Sequence, residues 1–540
     1  MGKSIYNIII GVFAIFWCTF ILLDYWQKHP ELYYSFANFQ YFDFVLIMAV
    51  LGGLLAFSWN KLKQTAFMPK MTSGLGLFSL IWLIAMSGHF SFGQKLVQPL
   101  SLAGKPFVMV SWKLLSTALF AYIVIAASHT LGAFFVERLK IPLFQKNNIS
   151  INIATGIMLL VGILFFLALF SLLKPFIILP LLVICLAIHH KASLQFFKKT
   201  LLTPIDLDDS FNWIGMLSLF LLLIVISLNF IHIVTPMPVG FDALTLYINL
   251  PGLIRDYSGL VEGNQPYNWS LFMSLGYVLF NMTEFTMALS FVGGILTLIV
   301  MYDLGKNWLH LNQNYTFLSL ALFFLTPTTL HQSYRELKVD LGLLYVSLVV
   351  ILLFFHWLQW SENSKKIDTE TDTTIASTAS NGGFKLMMLM GLLSGFAMGI
   401  KLTTLFLFFA IIAGIWYYYF FPNYRPYLSI FCLSIFGVLL VRLDDLSGMR
   451  SYHLGASIIT WGMLALGIGL LAWGAIQKQD ALTKSLKMSV LYGLFFALPF
   501  LPWVAKNYIE TKSLNPQTLL NGKAIGPDMN LQIIKQRYGK

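Results

Sequence analysis

Asp242 stands in Gly240-Phe241-Asp242-Ala243-Leu244-Thr245-Leu246-Tyr247-Ile248-Asn249-Leu250-Pro251, directly after an apolar run over 213–234. That run is long enough to cross a bilayer. Hydrocarbon does not solvate a carboxylate, so an acid at such a depth must be paired or open to a water-filled cavity. Within hydrogen-bond reach of a hydroxyl or amine it can act as a general base. A second acid, Asp340, opens another apolar run in Glu336-Leu337-Lys338-Val339-Asp340-Leu341-Gly342, and Lys401 separates two further runs. Lys401, Arg335, Lys338, Arg442 and Lys506 are cations that could neutralise a departing phosphate, a task a divalent cation can share. Each has a plainer reading beside this one. Asp242 or Asp340 can cap a helix, Lys401 can snorkel from a tight turn, and the other cations can be solvated loop charges. Glu262 and Glu284 read as solvated or capping acids.

The elements that must position these groups follow from composition. The chain has 540 residues, 58% hydrophobic and 11% charged. A soluble protein could not hide so much apolar surface, so the expected class is an all-α, polytopic transmembrane bundle. Its formal charge of +12 reflects the Lys/Arg bias of cytoplasmic loops and does not point to nucleic acid. Cys18, Cys185 and Cys432 fall in apolar runs without metal-ligand spacing, and His89, His232, His331 and His453 are scattered. No cleavable leader is expected, because Asp24-Tyr25-Trp26-Gln27 lacks a small-residue cleavage pattern.

Candidate spans lie near 8–23, 44–59, 75–90, 114–135, 151–173, 176–188 and 213–234. They continue near 285–304, 315–325, 341–360, 386–400, 402–421, 428–441, 458–476 and 488–504, about 15 transmembrane helices in all. With a cytoplasmic N-terminus, the basic clusters at Lys61/Lys63/Lys70, Arg138/Lys140/Lys146, Lys191/Lys198/Lys199, Lys306, Lys365/Lys366, Arg425 and Lys478/Lys484/Lys487 share one side. Asp242, Asp340, Lys401, Arg442 and the C-terminal tail then face outward. Lys95, Lys105, Arg335 and Lys506 are kept there against the rule. Two amphipathic pieces, 250–257 and 270–280, hinge on a Gly/Pro/Asn loop and read as two interfacial helices, with Tyr257, Tyr267 and Trp269 at headgroup level. Residues 361–384 read as a disordered cytoplasmic loop. Gly391, Gly395 and Gly399 share a helix face suited to close packing.

The order of these motifs resembles the GT-C superfamily of membrane glycosyltransferases. The similarity is to polyprenyl-phosphate-sugar-dependent enzymes of the protein O-mannosyltransferase-like and aminoarabinose-transferase-like kinds. It is carried by the Asp242 motif, by Pro266-Tyr267-Asn268-Trp269-Ser270, by Lys338-Val339-Asp340, by Gly395-Phe396-Ala397-Met398-Gly399-Ile400-Lys401, and by Leu501-Pro502-Trp503-Val504-Ala505-Lys506-Asn507. The resemblance spans roughly the last three hundred residues. It implies a GT-C-like core over 212–360 with an outward catalytic loop at 235–284. N-terminal transmembrane helices would occupy 1–211, C-terminal ones 385–510, and a short outward tail 511–540.

It further implies inverting transfer of a sugar from a polyprenyl-phosphate donor to a glycan, lipid or protein acceptor. Asp242 would be the base, and Asp340, Lys401, Arg335, Lys338, Arg442, Lys506, Tyr247 and Asn268 would bind substrate. The implied setting is a bacterial inner membrane with the active site periplasmic. Those relatives often carry Tyr-His where this chain has Leu246-Tyr247, and paired acids where Phe241 precedes Asp242. A divalent cation, Mg or Mn on Asp242 and Asp340, therefore stays open. Two other classes compete: a transporter or flippase using intramembrane charges, and a non-enzymatic subunit of an envelope complex.

Overall fold

The apolar runs become helices because lipid leaves backbone polar groups no partner outside the helix itself. A computed structural model describes residues 107–143, 148–202, 211–233, 247–262, 265–326, 338–367, 373–420, 461–470 and 479–522, with a few isolated positions between them. The expected spans at 8–23, 44–59 and 75–90 lie outside the described residues, as does nearly all of 428–441.

Helices α1 (Phe107–Arg138), α2 (Ile149–Leu169), α3 (Pro175–Ala187), α4 (His190–Phe197) and α5 (Trp213–Ile233) come first. They are followed by α6 (Asn249–Tyr257), α7 (Asn268–Phe280), α8 (Thr283–Asp303), α9 (Gln313–Leu325) and α10 (Asp340–Ile367). The last are α11 (Thr373–Met398), α12 (Leu405–Phe420), α13 (Gln479–Thr511) and the short α14 (Pro516–Asn521). No strand occurs among the described residues. Six helices there are long and apolar enough to cross a membrane, or seven if α3 and the segment after it form one span broken by 86°. Large apolar side chains such as Phe166, Phe176, Val183, Leu494 and Ile509 are exposed on the flanks, which suits contact with lipid. The chain is a helical membrane protein.

Glycines set how closely the helices approach. In α1 and α2, a Cβ on Gly132 would lie 1.8 Å from Asn152 O, and one on Gly156 would lie 1.6 Å from Ser128 O. This pairing runs antiparallel. The glycine face expected from its spacing packs on α13: Gly391 meets Tyr492 and Phe495, and Gly395 meets Phe496 O at 1.9 Å. Helices α11 and α13 therefore run parallel. Gly293 of α8 lies against Gly342 of α10, and Trp308 stacks on Phe355 further along, so these two are parallel as well.

Following the chain direction, α1, α8, α10 and α12 start at one end of the bundle, and α2, α5, α11 and α13 finish there. The opposite end carries Arg138, Lys140, Lys191, Lys198, Lys199 and Lys306, part of the basic set grouped on one side in the sequence; Lys61, Lys63, Lys70, Lys146, Arg425 and Lys478 lie outside the described residues.

Two expectations change. Residues 361–384 are helical wherever described: α10 runs to Ile367 and α11 starts at Thr373. Gly382 and Gly383 of α11 pack flat on the Trp360 ring, and this contact anchors the hairpin despite its loop-like composition. Helix α7 is also no surface element. Residues Asn268–Val278 are all buried, and α7 packs between α2, α3, α6 and α8. Only α6 keeps an amphipathic character, burying Leu250 and Ile254 while Tyr257 stays exposed.

Candidate functional site

The site end is built around a break in the chain between α11 and α12. Gly399 N–H still bonds Gly395 O, but Ile400 and Lys401 N–H both turn back to Ala397 O. The carbonyls of Phe396 and Gly399 are thereby left without partners from their own helix, the usual condition of a helix C-terminus. Asn268, the first residue of α7, supplies both: its backbone N–H donates to Gly399 O at 2.9 Å and its Nδ2 to Phe396 O at 2.8 Å. Trp503 of α13 donates Nε1–H to Asn268 Oδ1 at 2.8 Å. One buried asparagine thus joins three elements, and a Cβ on Gly399 would strike it at 2.2 Å.

Lys401 follows in extended conformation, and its carbonyl accepts from Thr404 N at 3.1 Å and Thr404 Oγ1 at 2.9 Å. The restart of the chain into α12 is fixed in this way. The lysine then reaches Asp340, with Nζ 2.6 Å from Oδ1. Asp340 lies in the first turn of α10, where the helix dipole favours an acid. The pair is only partly covered, at 40% exposure for the lysine side chain and 22% for the aspartate. It is also recessed. Thr297 Oγ1 donates to Leu341 O at 3.1 Å and Gly293 faces Gly342, so α10 begins level with the middle of α8. Ten residues of α8 stand above it, about 15 Å of helix.

Lys506, on the same end of α13, is almost fully buried and lies 2.7 Å from Glu510 Oε1, although out of line for a hydrogen bond to it. The next residue, Asn507, holds α14 through Leu519 O at 2.9 Å. Tyr267 packs edge-on to Trp503. Its hydroxyl accepts from Val261 N at 2.8 Å, and burial drives its phenol far above the usual range. It stays neutral. Lys338 is half-buried just before α10, and Tyr247 is half-buried against the main core. At the mouth, Lys113 and Glu284 pair at 3.2 Å, so Glu284, expected as a solvated or capping acid, is tied to α1.

Asp242, Arg335 and Arg442 lie outside the described residues. The flanks of the Asp242 segment are described: α5 ends with Ile233 at the site end, and the chain resumes at Tyr247. Among the described residues no three His, Cys, Asp or Glu side chains gather as a metal site. Asp340, one of the two acids on which a divalent cation stays open, is engaged by Lys401.

Beside this polar floor lies an apolar crevice of about 190 Å³, lined by Met158, Val161, Phe165, Phe166, Leu498 and Pro502, with Asn268 and Trp503 at its head. Helix α13 carries Pro499 and Pro502 in its interior. Proline removes backbone donors from a helix, and both prolines line the crevice. Nothing lies within 4 Å of where a Gly162 Cβ would be, so that wall of the crevice is open.

Sequence reasoning reached Asp340, Lys401, Lys506 and Asn268. It passed over Trp503 as a partner of Asn268, and Glu510, whose spacing from Lys506 was legible as a helical i,i+4 pair. Asn268→Leu should leave Trp503 Nε1–H and the Phe396 carbonyl unpaired in a buried setting. The expected cost is about 2–4 kcal/mol of stability, measured as a lower midpoint of thermal unfolding in detergent. An unchanged midpoint would mean that the three-way junction does not hold the site end together.

Fold and site together define a helical integral membrane protein with a charged, recessed floor beside an apolar crevice. Compared with protein-family models, curated proteins and solved structures, the chain matches none.

Proposed function

We propose that this protein is a membrane glycosyltransferase. In this reading it moves a sugar from a polyprenyl-phosphate donor to a glycan, lipid or protein acceptor on the outer face of a bacterial inner membrane, with inversion. The observation that supports it most is the placement of the Lys401–Asp340 pair within a few residues of the crevice head at Asn268. A lipid-linked sugar phosphate needs an apolar channel for its chain and a cation at the end of that channel for its phosphate, and both are adjacent here. Lys401 holds the phosphate and stabilises charge as the sugar–oxygen bond breaks. Asp340 aligns the ammonium, and Asn268 is a positioning residue that fixes the turn carrying Lys401. Asp242, on the segment entering this end, takes the acceptor proton. Arg335, Lys338, Arg442, Lys506 and Tyr247 complete the substrate-binding set. A divalent cation would add Lewis-acid charge at the same phosphate. The basic end of the bundle is cytoplasmic by the charge bias of its loops.

Mass spectrometry of envelope glycoconjugates and lipids from cells lacking the protein tests this. One sugar should disappear while its polyprenyl-phosphate carrier accumulates; an unaltered set of both would refute transfer.

The crevice gives a sharper test. Because Gly162 faces open space, Gly162→Phe should fold with little loss of stability yet fill the channel. KM for a long-chain donor is expected to rise about tenfold, the value of one blocked apolar contact region, with a much smaller rise for a donor shortened to a few isoprene units. Equal effects on both donors would place the chain elsewhere.

A further inference from the structure

Charge at the site end is matched one for one. Lys401 pairs with Asp340 at 2.6 Å, Lys506 with Glu510 at 2.7 Å, Lys113 with Glu284 at 3.2 Å, and Arg255 with its neighbour Asp256. A site that only has to hold phosphate gathers unmatched cations or bare N–H groups. Here the lysine assigned to the phosphate keeps a carboxylate against it. Alignment of the ammonium does not by itself call for that charge. Thr404 fixes the turn at Lys401, and an uncharged acceptor at position 340 would orient the ammonium as well. What the charge adds is potential. Without it, a phosphate beside Lys401 would feel the ammonium together with the positive end of α10. Asp340, in the first turn of α10 and 22% exposed, cancels much of both.

The reaction changes the charge on the phosphate, and this step rests on the transfer reading above. The acceptor oxygen bonds to the sugar carbon. The bond from that carbon to the phosphate oxygen breaks with its electron pair staying on the phosphate, and the acceptor proton passes to Asp242. A phosphodiester with a single negative charge thereby becomes a monoester, which ionises a second time at about pH 6. Above that pH the product carries about two charges. Repulsion from a fixed carboxylate grows in proportion to ligand charge, whereas the cost of desolvation grows as its square. A balanced Lys–Asp pair therefore tolerates the diester and disfavours the monoester. An isolated lysine would hold both, and the product more tightly.

We propose that Asp340 is a specificity-determining residue that expels the product: its charge weakens binding of the polyprenyl monophosphate more than binding of the donor, and so speeds turnover. The effect is linear in ligand charge. Removing the carboxylate should therefore multiply product affinity by the square of the factor by which it raises donor affinity. A residue that merely aligns Lys401 would leave no such signature, because its loss weakens both ligands.

The test uses the full-length protein in phosphatidylcholine nanodiscs at about pH 8, where a monoester is fully ionised. Two probes share one chain: decaprenyl phosphate, a dianionic monoester, and its methyl diester, a monoanion. Native mass spectrometry reads the binding of each. Asp340→Asn should bind the diester about threefold and the monoester about tenfold more tightly than the parent, which one unit charge a few ångströms away can produce in a partly watered site. Asp340→Glu keeps the charge and should keep the parent's preference. In turnover, Asp340→Asn should lower both kcat and KM for the donor and strengthen inhibition by added monoester. If Asp340→Asn does not fold, Asp340→Ser, a neutral residue suited to a helix start, replaces it with the same expectation. Equal shifts for the two probes, no shift, or weaker binding of the monoester would assign Asp340 to alignment alone and overturn the inference, while leaving the transfer reading in place. A parent protein that binds neither probe would overturn both.

Discussion

Asp242→Asn is expected to lower sugar transfer on the order of 10³-fold while the protein still folds and inserts. The substitution keeps the shape of the side chain and removes only the ability to accept a proton, and positioned general bases contribute effects of this size. The segment carrying Asp242 joins α5 to α6, and both described flanks, Ile233 and Tyr247, lie at the site end. With a purified donor the measurement is initial rate against thermal midpoint. A fall in rate with an unchanged midpoint is the expected pair of results. A variant that retains full transfer would remove Asp242 from the chemistry and leave the reaction without its base.

Lys401→Met is the second large effect, an expected loss of about 10²-fold in kcat/KM. The substitution keeps the aliphatic stem that packs in the turn and deletes the charge proposed to hold the phosphate. Removing one positioned electrostatic partner of a developing anion has this magnitude. Stability should hardly move, because a partly exposed ion pair contributes at most about 1 kcal/mol and Asp340 is not sealed from water. Lys401→Arg should recover part of the rate, with imperfect recovery because the planar guanidinium fits the turn differently. If Lys401 is only a snorkelling lysine, the methionine variant keeps its activity, and the phosphate must be held by another cation such as Lys506.

The two expectations differ in what stands behind them. Lys401 is placed by a chain of observed contacts from Trp503 through Asn268 to the broken end of α11. The role proposed for Asp242 rests on its sequence context, because it lies outside the described residues. The Asn268→Leu variant links them experimentally. If that junction holds the turn, the variant should lose activity as well as stability, and Lys401→Met should have a smaller effect in its background than in the parent.

Much of the helical layout was legible because bilayer thickness and a 3.6-residue turn leave few ways to arrange an apolar run. Within the described residues, the runs near 114–135, 151–173, 285–304 and 402–421 match α1, α2, α8 and α12 closely. Misreadings arose where composition stood in for environment. Residues 270–280 contain Ser270, Ser274 and Gly276, which resemble the polar face of a surface helix. In the fold those small residues are buried: Gly276 abuts Phe285 and Thr286 of α8, and Ser274 turns its hydroxyl back to Leu271 O of its own helix at 2.7 Å. The polar stretch after Trp360 looked unstructured, yet Trp360 gives α11 a surface to pack on.

By itself the sequence determined that this is a helical membrane protein and that acids and lysines stand at the ends of apolar runs. Those properties depend on hydropathy and charge along the chain, which are local. Only the tertiary structure decided that Lys401 meets Asp340 across 61 residues of chain, that Asn268 closes the end of α11, and that Pro499 and Pro502 of α13 line a crevice beside them. Which side chains share a site depends on helix order, direction and depth. These are set by packing between distant segments, and no local pattern encodes them.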